Sequence, residues 1–414
     1  MSSGADEVEG WAVTRVGDAF EVQLGKMLSP EASIGKNLKP YLANRNVQWN
    51  RLELDDLGLM SFASSERDRF RLKRGDLLVC EGGEIGRTAI WSDEITECYF
   101  QKAIHRLRPL GKVIEPRFLL HYMEHVVSRS ALANFVSQTS IAHLTRENLV
   151  KLPIWHPVSN AEQRCIAESL DTLDTQIRVI ERAVQKQKWI TAAVGQELIP
   201  VNPDPSFLGL GWELIPLSEI VPSADYGISA SLASEGDGTP TLRMNNLADG
   251  RIRLHEVKVS AAPVPAHLIL RDRDVLFNRT NSLEHVGRTS IWRNEIERAT
   301  FASYLVRLNV DEGRLFPEYL VRWLNQPAIQ QRIRRLATPG VHQVNINPTS
   351  LRRIEMELPT DMSRQRYISA TLNACEDVTD RMKVELQSLR KIKQGLMDDL
   401  LTGRVRVKDV ENTL

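Results

Sequence analysis

Asn160-Ala-Glu-Gln-Arg-Cys-Ile-Ala-Glu-Ser-Leu-Asp-Thr-Leu-Asp-Thr-Gln-Ile-Arg-Val-Ile180 contains neither glycine nor proline and opens a long apolar ladder. Ile166, Leu170, Leu173, Ile177, Ile180, Val184, Gln187, Thr191, Val194 and Leu198 follow at alternating steps of four and three, the a/d spacing of a coiled coil. Ile368, Leu372, Cys375, Thr379, Met382, Leu386, Leu389, Lys393, Leu396 and Leu400 repeat those steps, each displaced by 202. Such a run is long for a helix buried alone in a globular core. The spacing predicts two helices, over 159–199 and 361–402, packed on each other. From Ile166 to Leu198 each spans about 50 Å at 1.5 Å per residue, roughly 15 base pairs of B-DNA. Gln187, Thr191, Thr379 and Lys393 are polar insertions in the seam, of the kind that fixes register at some loss of stability.

Working outward, the rest of the chain is also written twice. Gly10-Trp11 returns as Gly211-Trp212, the run Gly86 to Trp91 as Gly287 to Trp292, and Pro116 as Pro317; Pro157 matches Pro359, and Gln163-Arg164 matches Gln365-Arg366. Before each long helix, roughly over 10–156 and 211–358, lie short β-leaning runs broken by Gly, Asn, Asp and Pro. One amphipathic helix is expected in each, near 115–135 and 316–336. The expected architecture is α+β with a pseudo-twofold internal repeat: a globular domain over 1–156, a spacer helix over 157–200, a second domain over 201–358, and a second spacer helix with a tail over 359–414. The two helices are expected to form an antiparallel coiled coil.

Composition narrows the function. The chain has 414 residues, 42% hydrophobic and 26% charged, within the range of folded globular proteins. No apolar run of membrane length and no signal peptide is visible, so a cytoplasmic chain is expected, with no membrane partner. Cys80, Cys98, Cys165 and Cys375 stand apart, without the paired spacing of a zinc site or a disulfide framework. Lys plus Arg and Asp plus Glu both number 53, so any nucleic-acid binding must rest on local charge.

Two unlike α+β domains, each followed by a long helix, resemble the specificity subunit of type I restriction-modification enzymes. The segments that carry the likeness are Tyr41 to Val47 and Thr241 to Leu247, Gly75 to Val79 and Asp274 to Phe277 with their loops to Gly-Arg-Thr, and the tail Lys393 to Val407. The first copy departs from the pattern, with Gln196-Glu-Leu-Ile-Pro200 in place of a Leu-Leu-Thr-Gly ending. The resemblance implies a bipartite double-stranded DNA target, each domain acting as a target-recognition domain for one half. It implies two modification (methyltransferase) subunits carrying S-adenosylmethionine, and restriction/translocase subunits using ATP and Mg. No cofactor, catalytic residue or metal is expected on this chain.

Base edges in the major groove are read by Arg on guanine and by Asn or Gln on adenine. Candidates fall in loops at three matching places: Arg45, Asn46 and Gln48, then Gln101 and Lys102, then Gln138, Ser140 and His143. In the second half they are Arg243, Asn245 and Asn246, then Asn278, Arg279, Thr280 and Asn281, then His342, Gln343, Asn345 and Asn347. Taken singly, each is as readily a turn residue. Arg87 and Arg288, in the shared Gly-Arg-Thr turn, suit backbone phosphates, as do the runs Arg67, Arg69, Arg71, Lys73, Arg74 and Arg332, Arg334, Arg335. Gly82 to Thr88 is no phosphate-binding loop, since Arg stands where Lys is needed and a hairpin is expected to follow. Asp249, Glu256 and Lys258 fit a metal-dependent nuclease only loosely. The rival functions are a DNA methyltransferase in its own right, for which Asn345-Ile-Asn-Pro-Thr lacks the catalytic pattern, and a coiled-coil adaptor that reads no bases.

Overall fold

The structure, a computed structural model, describes residues 8–34, 37–135, 143–201, 211–341 and 343–407. It divides into two compact units, Met1–Arg182 with Lys383–Leu414, and Ala183–Met382. Each unit holds one α+β domain, the start of the helix that follows that domain, and the end of the helix that follows the other.

In unit 1, strand Trp11–Arg15 pairs antiparallel with Pro153–Pro157. Beside this ribbon runs an antiparallel sheet in the order Phe20–Leu24, Ile104–Pro109, Leu77–Cys80, Thr88–Ile90. The strand Thr88–Ile90 that follows Gly82 to Arg87 is the hairpin expected in place of a phosphate loop. Helix Pro116–Ser128 covers the sheet, and its Phe118, Leu119 and Met123 share a core with Val22, Leu77, Val79 and Leu107. Burial of each such side chain contributes about 1.5–3 kcal/mol.

Unit 2 repeats the plan with additions. Trp212–Pro216 pairs with Glu355–Pro359, and a six-stranded sheet runs Ser223–Tyr226, Leu305–Asn309, Val275–Asn278, Thr289–Ile291, Arg251–Ile252, Leu247–Ala248. The single helix expected near 316–336 is instead two, Pro317–Leu324 and Pro327–Arg334. Pro327 has no amide hydrogen to continue a helix and drives the preceding Gln326 to ψ 136°, out of the helical region.

The long helices are Asn160–Leu198 and Met362–Leu400, 39 residues each. Every seam position is buried or half-buried. In unit 1, Asp174 pairs with Lys393 at 2.6 Å and Glu181 with Arg390 at 2.6 Å. Partner numbers fall as helix numbers rise, so the helices run antiparallel there. In unit 2, Val194 and Leu198 from the end of the first helix pack with Ile368 and Leu372 from the start of the second. The polar seam residues are accounted for. Thr191 and Thr379 donate their hydroxyls to Gln187 and Cys375 carbonyls one turn back. Buried Lys393 lies between Asp174 and Glu124, at 2.6 and 2.7 Å.

A buried glutamine fixes the start of each helix. Gln163, 0% exposed, accepts from the Glu115 amide at 2.7 Å and donates to the Val113 and Pro157 carbonyls at 3.0 and 2.8 Å. Gln365, also 0% exposed, accepts from Phe316 at 2.7 Å and donates to Arg314 and Pro359, both at 2.9 Å. In each unit one amide thus ties together the helix, the loop before the domain's own helix and the end of the ribbon. In unit 1 the chain's tail joins the same region: Arg406 forks onto Glu162 at 2.7 and 2.8 Å, and Trp155 donates to the Thr402 carbonyl at 3.1 Å.

Gln163→Leu and Gln365→Leu leave three backbone groups without partners, and each is expected to destabilise its own unit by about 3 kcal/mol. Urea unfolding read by protease susceptibility measures this, and no loss in either variant would refute the role. His156 sits beside Gln163, and burial holds its imidazole below the ordinary value of 6.5. The unfolded chain therefore takes up the proton first. Its contribution is full above about pH 6.5 and is lost as pH falls through the depressed folded value. Acidification from about pH 7.5 to 5.5 is expected to lower the unfolding midpoint of unit 1, with part of that slope absent in His156→Gln.

Candidate nucleic-acid interface

The loops predicted from the repeat converge at one end of the sheet in each unit. In unit 1 the Asn44 side chain donates to the Gly82 carbonyl at 2.8 Å, and Arg87 Nη2 donates back to the Asn44 carbonyl at 2.8 Å. The Leu144 amide reaches the Glu81 carbonyl and the Glu81 amide reaches Ala103, both at 2.8 Å. These bonds gather 44–46, 81–87, 101–103 and 143–144 into one patch. In unit 2 the Arg279 amide donates to Tyr304 at 3.0 Å, Ile346 to Arg279 at 2.8 Å and Asn278 to Arg288 at 2.9 Å.

The first loop of each patch is a short 3-10 turn, Asn44–Asn46 or Met244–Asn246. Asn46 accepts from the Ala43 amide and donates to the Glu53 and Asp56 carbonyls. Asn246 does the same with the Arg243 amide and the Arg253 and His255 carbonyls. Both are buried, at 2% and 0% exposure. This corrects their expected place among the base readers: both N–H groups and the oxygen of each buried amide are engaged in building the turn. The residue just before each is exposed, and there the halves differ, with Arg45 in one and Asn245 in the other. Arg45 meets Asp56 at the surface, through an ion pair at 3.2 Å and a hydrogen bond to its carbonyl at 3.3 Å.

Other candidates separate in the same way. Asn278 is 0% exposed and donates to the His285 carbonyl, and Thr280 is buried with its hydroxyl on Asn345 Oδ1 at 2.7 Å. Arg87 braces its own loop through Asn44 and an ion pair with Glu84 at 3.1 Å. Asn347 caps helix Pro348–Leu351 by accepting from the Thr349 amide. All four shape the loops; the first three present little to a ligand, whereas Asn347 is exposed. Gln48 donates to the Arg45 carbonyl and lines a cleft with Arg178 and Arg390 of the long helices, so it faces the rod. Arg243 is half-buried, donating to the Glu256 carbonyl at 2.7 Å. Lys102 is exposed; Gln101, His143, Asn281, Arg288 and Gln343 are half-buried at the rim. Gln138, Ser140 and His342 lie outside the described residues. Of the basic runs, Arg332 is held by buried Glu357 at 3.4 Å, whereas Arg71, Lys73, Arg74, Arg334 and Arg335 are exposed.

Two contributors were missed. Lys26 bridges to Gln101 beside the first patch, and in the second Arg279 lies over the half-exposed Tyr226 ring at 5.2 Å. The signal was Gly25 and its counterpart Gly227. A Cβ at either would stand 2.2 Å from a carbonyl oxygen of the neighbouring strand region, so only glycine lets these segments close onto the patch.

Among the described residues, the thiol and imidazole beside the first patch are not activated. Burial pushes the Cys80 thiol up to about 11 against the opposing Arg87 charge. Burial also depresses His105, whose Nε2 lies 2.8 Å from the Leu144 carbonyl. His121, Asp171 and Asp174 form a cluster with metal-ligand types, but Lys393 and the Asn50 amide already compensate its carboxylates. No described helix is long and apolar enough to cross a membrane.

Comparison with known proteins agrees with this architecture. Residues 8–187 match the type I restriction modification DNA specificity domain. The type I restriction enzyme StySPI specificity subunit of Salmonella potsdam is 22% identical over 372 residues, 85% of this chain and 79% of the relative. The MjaVIII specificity subunit of Methanocaldococcus jannaschii is 21% identical over 422 residues, 97% of this chain and 94% of its own. The crystal structure of the type I restriction-modification S subunit from M. genitalium shares the fold, with a TM-score of 0.59 at 15% identity, covering 97% of this chain and 98% of that one. The chain thus carries the type I restriction modification DNA specificity domain over residues 8–187 and is similar over most of its length to type I restriction enzyme specificity subunits.

Proposed function

We infer that this chain is the non-catalytic, DNA-sequence-reading subunit of a type I restriction-modification complex, with one half of a bipartite target read by each domain. The observation that carries the bipartite reading is the pair of 3-10 turns. Asn46 and Asn246 lock the same backbone frame with the same three hydrogen bonds. The exposed side chain on that three-residue frame is Arg45 in the first domain and Asn245 in the second. Arginine is suited to guanine O6 and N7, asparagine to adenine N6 and N7. A common scaffold with exchanged donor sets is what two unlike half-sites require.

The exposed cations around each patch supply sequence-independent attraction to phosphates. Methyl transfer and cleavage belong in this scheme to two modification subunits with S-adenosylmethionine and to restriction subunits with ATP and Mg, docked on this chain.

The test is competition binding of the chain, in complex with its modification subunits, against targets mutated in one half at a time. Asn245→Ala is expected to lose about 1–3 kcal/mol of discrimination in one half-site only, and Arg45→Ala likewise in the other. Loss in both halves, or in neither, would overturn the assignment. Calorimetry with S-adenosylmethionine is expected to show binding to the complex and none to this chain alone. Saturable binding to the chain alone would return catalysis to it.

A further inference from the structure

The turn that carries Asn245 does not end at the patch. Four residues beyond Leu247 its chain reaches Arg251, through a hairpin of Leu247–Ala248 with Arg251–Ile252. Asp249 at φ 53° and Gly250 at φ 76° make the two-residue turn whose left-handed pair matches the twist of the strands. At the far side of this hairpin Arg251 meets the second long helix. Its Nη1 donates to Asp380 at 2.7 Å and its Nη2 to Asp377 at 2.8 Å, with Glu376 at 3.5 Å. Arg322, on helix Pro317–Leu324, forks onto Glu376 and Asn373 of the same helix. Asn373, Glu376, Asp377 and Asp380 fall at i, i+3, i+4 and i+7, a single face. Two arginines from different parts of the domain thus grip one acidic stripe of the rod. Asn246 makes the link stiff, because its amide joins the 3-10 turn to the Arg253 carbonyl two residues past Arg251.

The first domain has the same joint in different chemistry. Arg51, the counterpart of Arg251, pairs instead with Glu53 at 3.0 Å, and it is the preceding turn residue Asn50 whose neutral amide donates to Asp171 at 3.2 Å and Asp174 at 2.9 Å. His121 stands where Arg322 does and lies 3.0 Å from Asp171, whose other oxygen accepts a single bond from the exposed Arg117 at 2.6 Å. A carboxylate fork on a guanidinium is stronger and more directional than an amide contact.

We propose that Arg251, with its carboxylate partners Asp377 and Asp380, is a positioning residue that fixes the angle of the second reading turn on its helix and so sets how strictly the complex demands one spacing between the two half-sites. The proposal rests on the bipartite reading above. A domain held at two points on a rod tolerates little displacement of its half-site along the duplex. Release of the hairpin frees the reading turn to follow a half-site that is shifted by one base pair. Arg251 itself contributes nothing to base discrimination, because its guanidinium is directed at the helix.

The experiment uses the full chain in complex with its modification subunits. The target, identified from the host methylome, is presented with the native spacer or with one base pair added or removed. Arg251→Met is expected to reduce the preference for the native spacer by about tenfold, within the range of ordinary site-to-site coupling, and to leave discrimination against mutated half-sites unchanged. Arg251→Lys is expected to recover part of that preference. Asp377→Asn combined with Asp380→Asn, on the exposed helix face, is expected to reproduce the effect, and it covers the case in which Arg251→Met does not fold. A preserved spacer preference in the folded variants overturns the proposal, and so does a fall in base discrimination at unchanged spacer preference. If the unaltered complex is itself indifferent to spacing, the bipartite reading fails, whatever Arg251 does.

Discussion

One buried amide fixes where each helix starts against its domain, and the geometry of everything distal depends on that tie. A glutamine side chain has two donors and an acceptor with two lone pairs. In Gln163 and Gln365 they are divided among the ribbon's last carbonyl, the loop entering the domain's helix and that helix's first turn. Both residues are fully buried, so no water can substitute for a missing partner. The helix can therefore start in only one position relative to the ribbon. Thirty-nine residues of continuous helix then carry that orientation away from the joint.

Rigidity at the joint gives meaning to the difference at the tips. If each reading turn could swing freely, exchange of Arg45 for Asn245 would alter chemistry without altering where it acts. The turns cannot swing, because Asn46 and Asn246 lock them and the following hairpins are pinned to the helix through Asn50 in one unit and Arg251 in the other. Scaffold and exposed tip are thereby separated: the buried residues repeat in kind between the halves, and the exposed one changes.

That separation also explains what could be read from the amino-acid sequence. Duplication, the seam and both helices were legible because they are periodic, and burial enforces the period at every position from Ile166 to Leu198 and from Ile368 to Leu400. The site was legible as a set of loops, and less so as a set of side chains. Asparagine satisfies backbone groups in turns for the same reason that it satisfies adenine, through a donor and an acceptor side by side. Composition alone therefore could not tell Asn246, sealed in its turn, from Asn245, one residue earlier and exposed. Asn278 and Thr280 were obscured likewise, since their partners, the His285 carbonyl and Asn345, come from elsewhere in the chain. Pro327 did announce the break in the second domain's helix, but the pattern on either side of it remains helical, and the periodicity masked the stop.

Lys393 shows the opposite case, in which a polar residue in the seam was visible and its reason was not. A lysine at an apolar position reads as a concession to register. Its ammonium lies between Asp174 of the facing helix and Glu124 of the first domain, while Thr191, its counterpart in the other helix, satisfies itself on its own backbone. The charge therefore does not serve the helix pair alone. It ties one helix to its neighbour and to the domain at once, beside the contacts that Asn50, His121 and Arg117 of the first domain make with Asp171 and Asp174. In the second unit the corresponding grip comes from the domain side, through Arg251 and Arg322. The first unit thus meets the acidic groups of the rod with cations from both the domain and the facing helix, the second with two arginines of the domain, and the duplicated scaffold keeps equivalent joints without keeping equivalent residues.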